Sequence, residues 1–202
     1  MEKVIAYIDG YNLYYGLHDL GWKRFYWQNL QKLSEQFLRK DQNLDETKYF
    51  TTIVKYPKKK RLRQQIFLDA LQTLPNFHIF YGHFLSDDIT CRQCGHTYTT
   101  HHEKMTDVNI SVELMMDAFQ DRFDVAFLIS ADSDLVHPIR TVQQLFPHKR
   151  VISIFPPGKH STALQQVSRG TLRIGRVELS KSLFPDQVHK GNVILQRPTE
   201  WC

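Results

Sequence analysis

Residues 5–16 read IAYIDGYNLYYG, in which a short apolar strand ends directly at Asp9, Gly10 and Asn12. A strand this apolar is typical of a parallel sheet that helices cover on both faces. Ligands of open α/β sheets bind beyond the carboxyl ends of the strands, so Asp9 stands where a binding group is useful. The alternative is that Asp9 and Gly10 form only a turn, and the rest of the chain has to decide.

The remainder of the chain alternates apolar runs with helical patterns. The predicted strands cover residues 4–8, 49–54, 77–84, 125–129 and 151–155, and the predicted helices cover residues 27–38, 59–74, 106–119 and 135–146. Such alternation predicts a three-layer α/β fold with a mainly parallel sheet. A short helix from Ser161 and an edge strand near residues 172–179 follow. We expect one domain over residues 1–180, with a polar excursion at residues 86–103, and a tail over residues 181–202.

Composition narrows the class of protein. The 202 residues suffice for one good core, and no segment approaches the ~20 apolar residues of a membrane span. The start of the chain lacks a secretory pattern, and three cysteines argue against a disulfide framework. We therefore expect a cytoplasmic protein without a membrane partner. A formal net charge of +5 favours polyanionic partners.

Acidic residues recur at strand ends. The predicted fourth strand, residues 125–129, runs into Asp132 and Asp134, as the first strand runs into Asp9. In a sheet of order 3-2-1-4-5 the first and fourth strands are neighbours about 4.8 Å apart, so Asp9 and Asp132 would face each other. The helix that precedes the fourth strand carries Asp107 in its first turn and could bring this carboxylate alongside.

Helix capping is the alternative explanation for single members of this acidic set. Thr106 is the expected N-cap of the helix at residues 106–119, and the dipole of that helix stabilises Asp107. Either Ser133 or Asp134 could cap the following helix. The apolar positions of the first of these helices share one helical face, which we expect to be buried: Val108, Val112, Met115, Met116 and Phe119.

Three or four carboxylates packed together would repel one another strongly at neutral pH. A divalent cation resolves this repulsion, and oxygen-only ligands suit Mg²⁺ or Mn²⁺. Such an ion can activate water and stabilise the charge that develops when a phosphodiester is attacked. The acids therefore predict metal-dependent hydrolysis of a phosphodiester.

Three segments carry a family resemblance: IDGYNLYYG at residues 8–16, EKMTDVNISVELMMDAF at residues 103–119 and LISADSDLVHPIRTV at residues 128–142. The chain resembles an NYN domain, a branch of the PIN-like nucleases, from about Lys3 to Leu172. This resemblance implies a Rossmann-like PIN fold and metal-dependent ribonuclease activity. It also implies that Asp9, Asp107, Asp132 and Asp134 are the catalytic and metal-binding acids, with Asn12 close by.

The chain departs from the family pattern at two turns. Where relatives commonly have glycine, it has Met105 or Thr106 before the helical acid and Ala131 before Asp132. We therefore expect these turns to form without a positive φ.

The substrate residues are expected beside the acids and on a basic segment. The run from Lys55 to Arg63 is the densest positive stretch and follows the second strand, so it could lie beside bound RNA. The alternative is that this basic segment is a solvent-exposed surface that binds no ligand. Tyr11, Tyr14 and Tyr15 offer stacking surfaces nearby. We assign substrate binding to Asn12, Lys58, Lys59, Lys60, Arg61, Lys104 and Ser130.

Cys91 and Cys94 have the C-x₂-C-G form of a zinc knuckle, followed by several histidines. A structural Zn²⁺ needs four ligands, so His101 and His102, a water or another chain would complete the site. The last possibility leaves a homodimer open. The alternative is a pair of reduced thiols on a hairpin.

Three functions follow from these patterns. The leading hypothesis is a metal-dependent ribonuclease. A catalytically weak RNA-binding or regulatory module would retain the same fold and acids. A phosphatase or nucleotide hydrolase could use the same acids, but the basic run favours a polymeric substrate.

Overall fold

The computed structural model describes residues 1–201, with the backbone alone for residues 84–89 and 98–104. In the described part of the chain, no helix has the length and apolar character needed to cross a membrane. A six-stranded parallel sheet forms the centre, in the order β3-β2-β1-β6-β7-β8. Its strands are β1 (Glu2–Asp9), β2 (Gln42–Thr51), β3 (Phe77–Tyr81), β6 (Val125–Ile129), β7 (Arg150–Phe155) and β8 (Gly170–Arg173).

The strand order confirms the predicted pairing of the first strand with the strand at residues 125–129. Val4 to Ile8 of β1 pair in parallel with Val125 to Ile129 of β6, and β1 pairs with β2 on its other side. The carboxyl ends of β1 and β6 therefore meet at one edge of the sheet, where the chain turns in opposite directions around the switch point.

Two hydrophobic clusters cover the two faces of the sheet and create three layers. Alternate residues of β1 belong to opposite clusters, because successive side chains of a strand point to opposite faces. One face packs against α1 (Gly10–Asp19), α2 (Leu30–Glu35), α3 (Lys58–Leu71) and α7 (Arg176–Lys181). The other packs against α4 (Thr106–Phe119), α5 (Val136–Leu145) and α6 (Thr162–Val167).

Short 3₁₀ turns add to these layers at Lys23–Tyr26, Ser133–Leu135 and Thr199–Trp201. A hairpin of β9 (Gln187–Lys190) and β10 (Val193–Gln196) lies near the carboxyl terminus. Phe184, Val188, Leu195 and Trp201 join the same cluster as α1 and α3. Residues between 184 and 201 thus contribute to the core.

The predicted strand at residues 77–84 is two strands in different sheets. β3 ends at Tyr81, and β4 (His83–Thr90) pairs with β5 (Thr97–Lys104) in a separate antiparallel hairpin. Gly82 marks the break, since its N–H donates to Thr51 O at the end of β2. The predicted edge strand at residues 172–179 is also wrong after Arg173. There Gly175 is the N-cap of α7, and its N–H donates to the Glu178 carboxylate.

The predicted burial of one face of α4 is wrong. Val108, Val112, Met115, Met116 and Phe119 are all exposed, and Phe119 is 81% exposed. The sheet instead receives Ile110, Leu114, Asp117 and Ala118. This helix has two apolar faces, and periodicity alone selected the wrong one because the inner face also carries a buried acid.

Candidate active site

Asp9 is the last residue of β1 and the N-cap of α1. Its side chain is 2% exposed and accepts the Asn12 N–H at 3.0 Å. Gly10 follows because a Cβ there would lie 2.7 Å from Phe50 O and from the Tyr49 hydroxyl. Strand β2 therefore requires a glycine here, and the tight turn places the Asp9 carboxylate at the edge of the sheet.

Asn12 and Ser130 connect the ends of β1 and β6. The Asn12 amide nitrogen donates to Asp9 at 2.8 Å, and its amide oxygen accepts the Ala131 N–H at 3.2 Å. The Ser130 hydroxyl donates to Asp9 at 2.9 Å and accepts the Asp132 N–H at 3.0 Å. The polar atoms of both predicted substrate residues are thus used to hold the acids in place.

Asp132 caps the 3₁₀ turn that leads into α5, and its carboxylate accepts the Asp134 N–H at 2.9 Å. The expectation that Ser133 or Asp134 fills this role is wrong. Asp134 is exposed, and it is absent from the residues that line the cavity between Asp9 and Asp132. The observed cap, Asp132, thus lies one position before Ser133, the nearer of the two predicted caps, and its carboxylate faces the start of the 3₁₀ turn.

Asp107 lies in the first turn of α4, as expected, but the start of this helix differs from the prediction. Met105, not Thr106, is the N-cap, and the Met105 side chain makes no capping hydrogen bond. Thr106 is buried. Met105 has φ 81°, so the expectation that this turn forms without a positive φ is wrong. For a non-glycine residue this left-handed conformation stores about 1–2 kcal/mol. Ala131 agrees with the expectation, since it is not among the residues with positive φ.

An open cavity of about 360 Å³, which we call the acid cleft, lies at this edge of the sheet. Three of the four predicted acids, Asp9, Asp107 and Asp132, line it. They come from β1, the start of α4 and the turn after β6. The fold thus brings together carboxylates that are far apart in sequence, and it leaves Asp134 outside.

The acid cleft suits a cation that keeps several of its water ligands better than a cation held by protein ligands alone. Among residues with described side chains, no three His, Cys, Asp or Glu residues form a group that could hold a metal ion by themselves. Mg²⁺ keeps several waters and binds proteins through one or two carboxylates plus substrate phosphate. An all-oxygen set spread around an open cleft suits that kind of binding, and the close packing expected of four acids is not found.

Burial controls the charge of Asp9. Desolvation raises the pKa of its carboxyl above the ordinary value, and the nearby Asp132 carboxylate raises it further. The hydrogen bonds from Asn12 and Ser130 act in the opposite direction. The neighbouring phenol of Tyr49 has a pKa raised to about 12, chiefly by burial, and stays neutral.

Lys159 also lines the acid cleft, and sequence analysis missed it. Its ammonium group pairs with Asp19 at the end of α1 at 2.6 Å. Residues 156–158 read PPG directly after β7, the strand beside β6. The position of Lys159 after that strand end was the available signal.

The predicted basic segment forms the start of α3. Lys58, Lys59 and Arg61 are exposed, and Lys60 is partly buried with its ammonium group 5.1 Å from the centre of the Tyr14 ring. Pro57 precedes the helix without a side-chain cap, and the first turn holds no acid. The side chain of Lys104 lies outside the described residues.

Cys91 and Cys94 lie in the turn between β4 and β5. The Cys91 N–H donates to His96 O, and the Gly95 N–H donates to Cys91 O. Hydrogen bonds from the backbone of Cys94 and Gln93 lower the pKa of the Cys91 thiol. The side chains of His101 and His102 lie outside the described residues, and the described side chains of the turn supply no zinc site.

A six-stranded parallel sheet with helices on both faces and acids at its switch point is consistent with a PIN-like, Rossmann-like fold. The chain belongs to the NYN domain family, whose sequence profile matches residues 3–174. This match confirms the family expected from sequence.

Comparisons with individual proteins support the fold of this chain and do not bear on its activity. No curated protein matches the chain significantly. A crystal structure of a protein of unknown function from Vibrio parahaemolyticus is similar, with a TM-score of 0.58 and 18% sequence identity. The similarity covers 91% of this chain and 96% of that protein. At this identity the likeness supports the α/β architecture and carries no information on activity.

Proposed function

We propose that the protein is a metal-dependent ribonuclease that hydrolyses RNA phosphodiesters in the acid cleft. The observation that carries this proposal is that Asp9, Asp107 and Asp132 line one open cavity at the carboxyl edge of the sheet. Membership of the NYN family, with its nuclease-type fold, supports the same reaction class.

The chemistry divides between a bound cation and the protein. Mg²⁺ or Mn²⁺ held by Asp9, Asp107 and Asp132 would lower the pKa of a bound water and neutralise charge on the phosphate. Asn12 and Ser130 keep Asp9 and Asp132 in register by bonding both strand ends. Lys159 brings a positive charge to the cleft, where it can attract a phosphate oxygen.

The start of α3 supports a polyanionic substrate. Lysines in the first turn of a helix oppose its dipole, which favours anions at that end. Lys58, Lys59 and Lys60 occupy this unfavourable position, and no acidic residue of the first turn compensates them. A bound phosphate would offset both the dipole and the repulsion among the lysines.

Cleavage assays test the reaction. We expect purified protein to cut single-stranded RNA with Mn²⁺ and to stop in EDTA. The cleavage rate of the Asp132→Asn variant should be at least 100-fold lower than that of the wild type. A loss of about 100-fold is the lower end of the range seen when one group that stabilises transition-state charge is removed. Asp41→Asn is the matched control, because Asp41 is exposed just before β2, at the opposite edge of the sheet. Equal rates for Asp132→Asn and the wild type would reject the assignment.

The second candidate is an RNA-binding module without efficient catalysis. The exposed lysines at the start of α3 favour it, because they can bind the phosphates of RNA without a metal ion. This function predicts tight RNA binding with no Mn²⁺-dependent cleavage, and with equal binding by the wild type and Asp132→Asn. A binding assay and the Mn²⁺ cleavage assay on the same two proteins therefore distinguish it from the ribonuclease, since RNA binding without cleavage by the wild type is expected only for the binding module.

A further inference from the structure

A second cavity, of about 330 Å³, opens beside the acid cleft. Helix α1 separates the two, and its Tyr11 and Tyr15 line both. The far walls come from α3, from the 3₁₀ turn after α1 and from the carboxyl-terminal 3₁₀ turn. We call this cavity the aromatic pocket, and its main lining residues are Tyr14, Tyr26, Gln28, Lys60, Arg63 and Trp201.

Aromatic rings form a continuous wall of the aromatic pocket. The ring centres of Tyr14 and Tyr26 are 5.2 Å apart, and those of Tyr26 and Trp201 are 5.7 Å apart. Tyr15 extends the wall toward the acid cleft, with its ring centre 5.3 Å from that of Tyr14. Flat rings of this kind stack with nucleobases regardless of sequence, since every base has a π-face.

Positive charge lies at the same wall. The Lys60 ammonium group is 5.1 Å from the centre of the Tyr14 ring, so it belongs to both the basic segment and the aromatic pocket. Arg63, one turn further along α3, pairs with Glu200 at 2.7 Å. A ligand with a flat ring and an attached phosphate matches this combination of aromatic and cationic groups.

Gln28 supplies a buried acceptor. The residue is 1% exposed, and its amide nitrogen donates to Leu179 O at 2.7 Å. Its amide oxygen is buried without a hydrogen-bond partner among the described residues. Leaving a buried acceptor unpaired is unfavourable, so a ligand in this pocket whose N–H group reaches this oxygen would be stabilised. Each RNA base carries at least one such N–H group on its pairing edge.

We propose that the aromatic pocket binds one nucleobase of the RNA strand whose phosphate occupies the acid cleft. The inference rests on the proposed function and adds a subsite that fixes the strand relative to the acids. Because Tyr11 and Tyr15 line both cavities, a base stacked in the pocket and a phosphate in the cleft belong to neighbouring nucleotides.

The test measures binding of a short single-stranded RNA in EDTA, with one abasic nucleotide moved along the strand. We expect one position to show a loss of about 5- to 100-fold for the wild type, the range of a single stacked base. Tyr14→Ala should bind the intact RNA more weakly by a similar factor and show no further loss with the abasic strand. Tyr81→Ala, which removes a partly exposed tyrosine outside both cavities, should behave as the wild type. Tyr14→Leu keeps apolar volume and replaces the alanine variant if that one does not fold.

Two readouts separate this subsite from the reaction. Mn²⁺-dependent cleavage together with equal abasic losses at every position, in the wild type and in Tyr14→Ala, would keep the ribonuclease and overturn the aromatic pocket as a base site. A position-specific loss that disappears in Tyr14→Ala, in a protein that cleaves no RNA, would reject the ribonuclease and support the base site.

Discussion

At the scale of single residues, the acid cleft depends on side chains that bond two strands at once. Asn12 and Ser130 each contact Asp9 and the backbone after β6. Short polar residues at a strand end give no sign of this from sequence, because for each of them the partner on the other strand end is more than a hundred positions away. Asp9 itself could be identified, since an acid directly after a buried strand occupies a position that the sheet geometry makes functional.

The buried position of Asp9 gives the free protein a pH-dependent stability. Its raised pKa means that the folded state binds this proton more tightly than the unfolded state does. The resulting stability is fully present below the unfolded pKa and is lost as the pH rises through the folded pKa. In EDTA, the melting temperature of Asp9→Asn should therefore rise relative to that of the wild type as the pH increases above about 4, the ordinary pKa of an aspartate.

The Asp41→Asn variant controls for the general loss of a carboxylate, because Asp41 is exposed. Its melting temperature should stay parallel to that of the wild type over the same pH range. If the difference between Asp9→Asn and the wild type does not change with pH, then burial does not control the ionisation of Asp9.

At the scale of elements, the sequence predicts where helices and strands begin and end better than which face of a helix packs on the sheet. Helix α4 and strand β6 begin and end where the apolar patterns indicate, because both are long or uniform enough to give a clear period. The inward face of α4 could not be predicted, since two apolar faces compete and the inner one contains Asp117. The sequence indicates the region of β4 and β5 as a polar excursion, with a hairpin at Cys91 and Cys94 as one alternative, but it does not give the strand bounds because these polar strands lack an alternating pattern.

The start of α3 offers a test of the basic segment. Changing Lys58 and Lys59 together to Gln removes two charges that oppose the helix dipole, each worth about 0.3–1 kcal/mol at such a position. The free protein should melt a few degrees higher. RNA binding should weaken, and the slope of log K against log salt should flatten by roughly 0.7 for each lost phosphate contact.

Lys40→Gln is the matched control for this pair, because Lys40 is exposed at the amino edge of the sheet, just before β2. It should leave both the affinity and the salt slope unchanged. A double variant that binds RNA with the wild-type salt slope would mean that the lysines face only solvent.

At the scale of the whole molecule, a buried ionic network joins the sheet to α4. Lys48 of β2 is 2% exposed and pairs with Asp117 at 2.5 Å and with Glu113 at 2.7 Å. Asp117 also accepts from the Tyr7 hydroxyl at 2.5 Å and pairs with Arg122 at 2.8 Å. Sequence rules place charged residues outside, so this contact could not be predicted without the fold. The network fixes the helix that carries Asp107.

Breaking this network from one side should destabilise the protein strongly. Asp117→Leu leaves the Lys48 ammonium group buried with only Glu113 opposite, and such losses typically cost about 3–5 kcal/mol. Differential scanning calorimetry should show the melting temperature fall by roughly 6–20 °C for a chain of this size. The double variant Lys48→Met with Asp117→Leu should recover much of the loss, because no charge on Lys48 remains unpaired.

The exposed Glu35 of α2 is the control for this experiment, and Glu35→Ala should unfold close to the wild type. A small effect of Asp117→Leu, within that of Glu35→Ala, would show that the pairs around Lys48 contribute little to stability.

The pairing of β1 with β6 has a consequence for the newly made chain. Asp9 and Ser130, which bond each other across this pair, are 121 positions apart. During synthesis the amino-terminal half leaves the ribosome with β1 lacking its neighbour on one side. Contacts between such distant segments are slow to form, because the long intervening loop must be closed first. A nascent chain that stops short of β6 has no acid cleft, so the RNA-rich surroundings of the ribosome meet the assembled site only after β6 and Asp132 have been translated.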